Sequence, residues 1–122
     1  GRNPEQANRP LVLQCKGKRI ALLGFNEFRK QNYAVSEQRA GNVPLEPTGI
    51  VSSIQLAKAQ ADMVILFLHW GEELELTPRE DQQRWAREWI DAGASAIIGA
   101  HPHVAQTVEV YRGRPIFYSL GN

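Results

Sequence analysis

Residues 63–68, Met63-Val64-Ile65-Leu66-Phe67-Leu68, are apolar without interruption, and that run constrains the fold more than any other part of the chain. Six residues are far short of the ~20 a membrane helix needs. A short, fully apolar run of this kind reads as a central parallel strand buried on both faces. Parallel strands require crossover connections, so helices should flank it. Upstream, Thr48 is placed to cap a helix whose apolar positions Ile50, Val51, Ile54, Ala57 and Ala61 recur with a period near 3.6. Downstream, Thr77-Pro78-Arg79-Glu80 reads as a helix start, with Thr77 as N-cap, Pro78 at the first helical position and Glu80 completing a capping box. That helix should run to Ala92 and end at Gly93. Trp85 and Trp89 share one of its faces, opposite Asp81, Arg84, Arg87 and Glu88, and are read as core packing rather than a platform for a sugar or base. Residues 96–98 then supply the next parallel strand, giving an α/β chain of βαβ type.

The flanks look antiparallel. Residues 11–15 and 19–23 are β-like and joined by Lys16-Gly17-Lys18, and residues 107–111 and 115–120 are joined by Arg112-Gly113-Arg114. Residues 24–47 carry mixed charges, two prolines and no sustained period, so they form a surface excursion. Arg29, Lys30 and Arg39 within it are read as solvated cations, with no site role. The 122 residues make one domain's worth of material, and a net charge of +1 spread along the chain gives no reason to expect a nucleic-acid partner. Cys15 is the only cysteine, which excludes an internal disulfide. No run is long enough for a membrane-spanning helix, and the polar start, residues 1–10, does not resemble a signal peptide.

All three histidines fall where apolar runs stop. His69 follows residues 63–68, and His101 and His103 lie in Gly99-Ala100-His101-Pro102-His103 after residues 96–98. Open α/β sheets bind their ligands outside the carboxyl ends of the strands. In an extended segment, side chains two residues apart project to one side, roughly 6 to 7 Å from each other, a spacing suited to two neighbouring metal ions. Neutral imidazole is the commonest transition-metal ligand. His69, His101 and His103 are therefore the candidate metal ligands. Glu73, in His69-Trp70-Gly71-Glu72-Glu73, is the candidate catalytic carboxylate, open between general acid or base, partner to a histidine, and surface charge beside Glu72 and Glu75. Two-metal hydrolytic sites also need a bridging carboxylate. Asp62 precedes its strand, Asp81 opens a helix and Asp91 closes one, so none is a natural partner for the histidines.

Several blocks resemble, in order, the bacterial capsule-synthesis proteins of the poly-γ-glutamate, CapA-like type, within the calcineurin-like metallophosphoesterase superfamily. They are His69-Trp70-Gly71-Glu72-Glu73, Thr77-Pro78 followed by Gln82-Gln83, Ile90-Asp91-Ala92-Gly93-Ala94, Gly99-Ala100-His101-Pro102-His103-Val104, Glu109-Val110-Tyr111, and Tyr118-Ser119-Leu120-Gly121-Asn122. The resemblance implies that His69 is the superfamily's isolated histidine ligand and that His101 and His103 are its paired histidines, serving different ions. It also implies that the aspartate and asparagine ligands belong to an N-terminal portion, so that residues 1–122 form the C-terminal portion of a single domain. Leu74 stands where the family usually has tyrosine.

The architecture implied by the resemblance is a four-layer α/β/β/α sandwich. The implied function is that of a metal-dependent, hydrolase-like component of capsule or poly-γ-glutamate biosynthesis. It would use two divalent ions (Mn, Zn or Fe) to activate water against a phosphoester or related bond in an anionic small-molecule or polymer substrate. The resemblance places such a protein at the cell envelope. The rival expectation is a non-catalytic capsule-assembly or polyanion-binding protein that retains the fold.

Overall fold

A computed structural model describes residues 1–28 and 33–121. The cations Arg29 and Lys30, and the terminal Asn122, lie outside the described residues. A short helix α1 (Pro4–Asn8) is followed by β1 (Leu11–Cys15), β2 (Lys18–Asn26), α2 (Pro47–Lys58), β3 (Met63–His69), α3 (Glu80–Ala92), β4 (Ala96–Ala100), β5 (Val108–Tyr111) and β6 (Arg114–Phe117). The strands form one six-stranded sheet in the order β1-β2-β3-β4-β6-β5. The four inner strands β2, β3, β4 and β6 are parallel, and β1 and β5 close the two edges antiparallel.

The two hairpins form where the sequence places them. At the first, Lys16 and Gly17 have φ of 47° and 75°, the left-handed pair that a two-residue turn needs to match the strand twist. Arg112-Gly113 makes the second. The cap of helix α2 lies two residues before the expected one. Pro47, whose fixed φ suits the first helical position, starts the helix with Glu46 as N-cap, which leaves Thr48 inside it without a capping role. Helix α3 starts at Glu80 rather than after Thr77. Arg79 is its N-cap, in an extended conformation (φ −61°, ψ 155°), and Gln82 rather than Glu80 turns its side chain back to accept the Arg79 N–H at 3.0 Å. The end at Ala92 and the left-handed Gly93 are as the sequence implies.

Both helices pack on the same face of the sheet. Strands β2, β3 and β4 advance in one direction across it, and right-handed crossovers then put every connecting helix on one side. Ile50, Ile54 and Ala57 of α2 and Ala86, Trp89 and Ile90 of α3 join a single core with Leu23, Val64, Leu66, Leu68, Ile97 and Ile116. Trp89 is fully buried, its ring 6.4 Å from that of the half-buried Trp85 and 5.8 Å from that of Trp70. Its indole N–H donates to the Pro47 carbonyl at 3.1 Å. The tryptophan pair is packing.

The single-sided arrangement corrects the expectation for β3. The strand is buried on one face only: Leu66 and Leu68 are 0% and 3% exposed, whereas Phe67 between them is 43% exposed. The register extends this open face across the sheet through Leu22, Ile65 and Ala96, then Gly24, Phe67 and Ile98, then Asn26, His69 and Ala100. Residues 42–45 are less free than a surface excursion would be. The Asn26 N–H donates to the Val43 carbonyl, the Leu45 N–H to the Asn26 carbonyl, and Leu45 is buried.

Candidate metal centre

His69 is the last residue of β3, and Ala100, its register partner, is the last of β4, so His69 and the 101–103 turn meet at the carboxyl ends of adjacent parallel strands. The His69 and His101 rings are 4.6 Å apart, and the His101 and His103 rings 6.0 Å apart. The route to this convergence differs from the extended segment inferred from the sequence. β4 stops at Ala100, and His101 and His103 have φ of 109° and 59°, conformations that L residues seldom adopt. Strained backbone of this kind persists only where the surroundings over-determine it. Here the Trp70 N–H donates to the Ala100 carbonyl, the Leu74 N–H to the Pro102 carbonyl, and the Leu120 N–H to the Gly99 carbonyl. Only glycine fits at position 99. A Cβ there would lie 2.0 Å from the Tyr118 carbonyl oxygen and 2.5 Å from the indole nitrogen that Trp70 donates to that same oxygen.

Glu73 is brought to the same place. One donor atom each from Glu73, His101 and His103 lie within 4.8 Å of one another. His69 stands beside this trio, through its ring contact with His101, rather than inside it. The aspartates are engaged elsewhere: Asp62 accepts the Arg19 N–H, Asp81 pairs with Arg79, and Asp91 pairs with Arg112.

Burial, and secondarily the neighbouring His69, push the His101 pKa below its usual value, so the neutral imidazole that a metal requires is favoured. Its Nδ1 is buried and has no hydrogen-bond partner among the described residues. An orphaned imidazole nitrogen beside a second histidine and a carboxylate is a nitrogen and oxygen donor set, so these residues fit a divalent metal ion.

Sequence reasoning missed Phe28, whose ring centroid lies 4.0 Å from that of His101 and 5.8 Å from that of His69. It missed Glu27 and Arg79 as well. Glu27 accepts the Gly71 N–H at 2.7 Å and pairs with Arg79 at 2.5 Å. Phe28 and Glu27 belong to a stretch without periodicity, and Arg79 looks like ordinary first-turn helix sequence; their roles arise from tertiary placement. Phe28, His69, Gly71, Glu73 and His101 line a cleft of ≈ 420 Å³, and a larger trough of ≈ 1020 Å³ runs from His69 along the open face past Phe67 and Leu120.

The fold and site define an α/β domain with a histidine–carboxylate cluster at the carboxyl ends of its parallel strands. The chain belongs to the bacterial capsule synthesis protein family PGA_cap, which matches over residues 1–122. It is 42% identical over 109 residues to the PGA biosynthesis protein CapA of Bacillus subtilis (strain 168), a match covering 89% of this chain and 29% of that protein. It is 35% identical over 126 residues to the capsule biosynthesis protein CapA of Bacillus anthracis, covering 100% of this chain and 31% of that protein. The chain thus spans under a third of the length of these relatives. A crystal structure of a hypothetical protein from Thermus thermophilus shares the fold, with a TM-score of 0.56 at 16% identity over 92% of this chain and 38% of that one.

Proposed function

We propose that residues 1–122 form the C-terminal portion of a metal-dependent, hydrolase-like protein of capsule or poly-γ-glutamate biosynthesis, acting at the cell envelope on an anionic small molecule or polymer. The observation that carries this reading is the convergence of three imidazoles and Glu73 at the ends of β3 and β4, beside an uncovered sheet face. His69, His101 and His103 would hold two divalent ions, whose further ligands come from the rest of the protein. When bound, such ions supply Lewis acidity toward a phosphoester or related bond and lower the pKa of water. The chain's own residues prepare for this. Burial lowers the His101 pKa and so favours its neutral form, the Phe28 ring packs against those of His69 and His101, and Glu73 would serve as a further ligand or as a proton donor or acceptor. The open face is where a second sheet would pack to complete a four-layer sandwich. Envelope placement is supported by the capsule biosynthesis named for the relatives. Among the described residues no helix is long and apolar enough to cross a membrane.

The test is hydrolysis of a generic aryl phosphate with added manganese or zinc. It compares residues 1–122, the full-length protein, and the full-length protein carrying His103→Ala. Turnover by the full-length protein alone is expected. A second reading, non-catalytic polyanion handling, is favoured by one observation: Glu73 is the only carboxylate in the donor cluster of the described residues. A full-length protein that is metal-loaded yet inert on phosphoesters and capsule-related substrates would establish it.

A further inference from the structure

Residues 70–74 carry Glu73 to the histidines along an unusual path, with Gly71 at φ 87° and Leu74 at φ 64°. At its far end this loop is tied to the histidine turn by the Leu74 N–H donating to the Pro102 carbonyl at 2.8 Å. At its near end Trp70 is bonded to Ala100 and Tyr118, and a residue just past the end of the neighbouring strand adds a clasp of its own. The Glu27 N–H donates to the His69 carbonyl at 2.9 Å, and the Glu27 carboxylate accepts the Gly71 N–H at 2.7 Å, so Glu27 clasps the loop on both sides of Trp70. The second carboxylate oxygen is taken by Arg79 at 2.5 Å, and the Arg79 guanidinium also bonds Asp81 at 3.0 Å in the first turn of α3. The Glu27 and Arg79 side chains are only 23% and 30% exposed. An ion pair at this burial adds little to stability after desolvation, but it fixes geometry, because both carboxylate oxygens and the planar guanidinium are committed.

We propose that Glu27 and Arg79 are positioning residues that anchor the 70–74 loop to the N-terminus of α3 and thereby set Glu73 against His101 and His103. The inference rests on the metal-centre reading above and names the device that assembles it. Neither residue reaches the donor cluster. Glu27 acts through the Gly71 amide, and Arg79 acts through Glu27 and through its own ion pair with Glu72 of the loop at 3.9 Å. Side chains that orient ligands in this way commonly change metal affinity 10–100-fold when removed.

The experiment measures Mn²⁺ affinity of the full-length protein by titration calorimetry and by the electron paramagnetic resonance of free Mn²⁺, alongside the thermal midpoint of the metal-free protein. Glu27→Ala and Arg79→Ala should each weaken Mn²⁺ binding by about 10–100-fold. The double variant should lose less than the two single effects combined, since the residues share the Glu27–Arg79 contact. Glu27→Gln keeps an oxygen for the Gly71 N–H but turns its NH2 toward the donor-only Arg79 guanidinium, so its affinity should fall between that of the unaltered protein and that of Glu27→Ala, a partial rescue that tracks the Gly71 contact. Unaltered affinity in a folded Glu27→Ala variant overturns the proposal, as does a Glu27→Gln variant as damaged as Glu27→Ala. If the alanine variants do not fold, Arg79→Lys decides: a loss of about threefold or more at an unchanged midpoint supports the proposal, and unchanged affinity overturns it. His103→Ala separates the two levels. If it leaves Mn²⁺ affinity intact, the metal-centre reading fails; if it abolishes binding while Glu27→Ala does nothing, only the positioning role fails.

Discussion

The two faces of the sheet are both apolar, yet only one is finished. On the helix side, Leu23, Val64, Leu66, Leu68, Ile97 and Ile116 are sealed beneath α2 and α3. On the other side Leu11, Leu13, Phe67 and Leu120 face solvent. The alternation of a half-exposed strand would normally place polar residues on such a face. Here β3 is apolar up to its terminal His69, the pattern of a strand with a partner layer on both sides, and α2 and α3 supply only one. His69 stands on the open face, in register with Asn26 and Ala100, so the candidate site lies along the margin of the unfinished side. The relatives are more than three times as long as the stretch they share with this chain, and on the reading proposed above a second layer would come from the rest of the protein.

The largest effect that would break this comparison is expected at the sealed face. Trp89→Ala should destabilise residues 1–122 by about 3–5 kcal/mol, measured by denaturant unfolding, because a fully buried ring and its bond to the Pro47 carbonyl are lost together. Phe67→Ala should cost about 1 kcal/mol or less in residues 1–122 but about 3 kcal/mol or more in the full-length protein, where the ring would be buried. Equal losses in both proteins would show that nothing covers the open face.

Two smaller effects sharpen the picture within the sealed half. Glu109 pairs with Arg87 and accepts the Tyr118 hydroxyl, and its pKa is lowered, chiefly by the Arg87 hydrogen bond. A carboxylate with a depressed folded pKa contributes stability that is present above its unfolded value, near 4.5, and is lost as pH falls through the folded one. The unfolding free energy should therefore decline as the pH is taken below about 4.5, less steeply in Glu109→Gln. Thr77→Ala should change stability by less than about 0.5 kcal/mol, because Arg79 and Gln82, not Thr77, shape the start of α3.

Much of this fold was legible because its signals are local. The hairpin turns at Lys16-Gly17 and Arg112-Gly113, the end of α3 at Gly93, and the inward Trp89 each follow from a few neighbouring residues. What misled were features decided at a distance. Thr77-Pro78-Arg79-Glu80 satisfies every local criterion for a helix start, but the extended N-cap is Arg79, whose side chain pairs with the distant Glu27 and whose N–H is capped by Gln82, and the helix begins at Glu80. The continuous apolar run of β3 correctly signalled a central parallel strand, but burial on its second face needs a layer that the described residues do not supply. At the site, the positions of His69, His101 and His103 at strand ends were readable from where the apolar runs stop. The left-handed turn that brings His101 and His103 together, and the reach of Phe28, Glu27 and Arg79 into the same region, depend on contacts between segments far apart in the chain.

On the reading proposed above, residues 1–122 hold one half of a metal centre, its donors already placed and its remaining ligands elsewhere in the protein. The most direct test is Mn²⁺ binding at neutral pH, measured by titration calorimetry on residues 1–122 and on the full-length protein, each with and without His103→Ala. Residues 1–122 should bind weakly, the full-length protein at least about 100-fold more tightly, and His103→Ala should abolish both. Equal affinity in the two proteins, or affinity indifferent to His103, would contradict that reading.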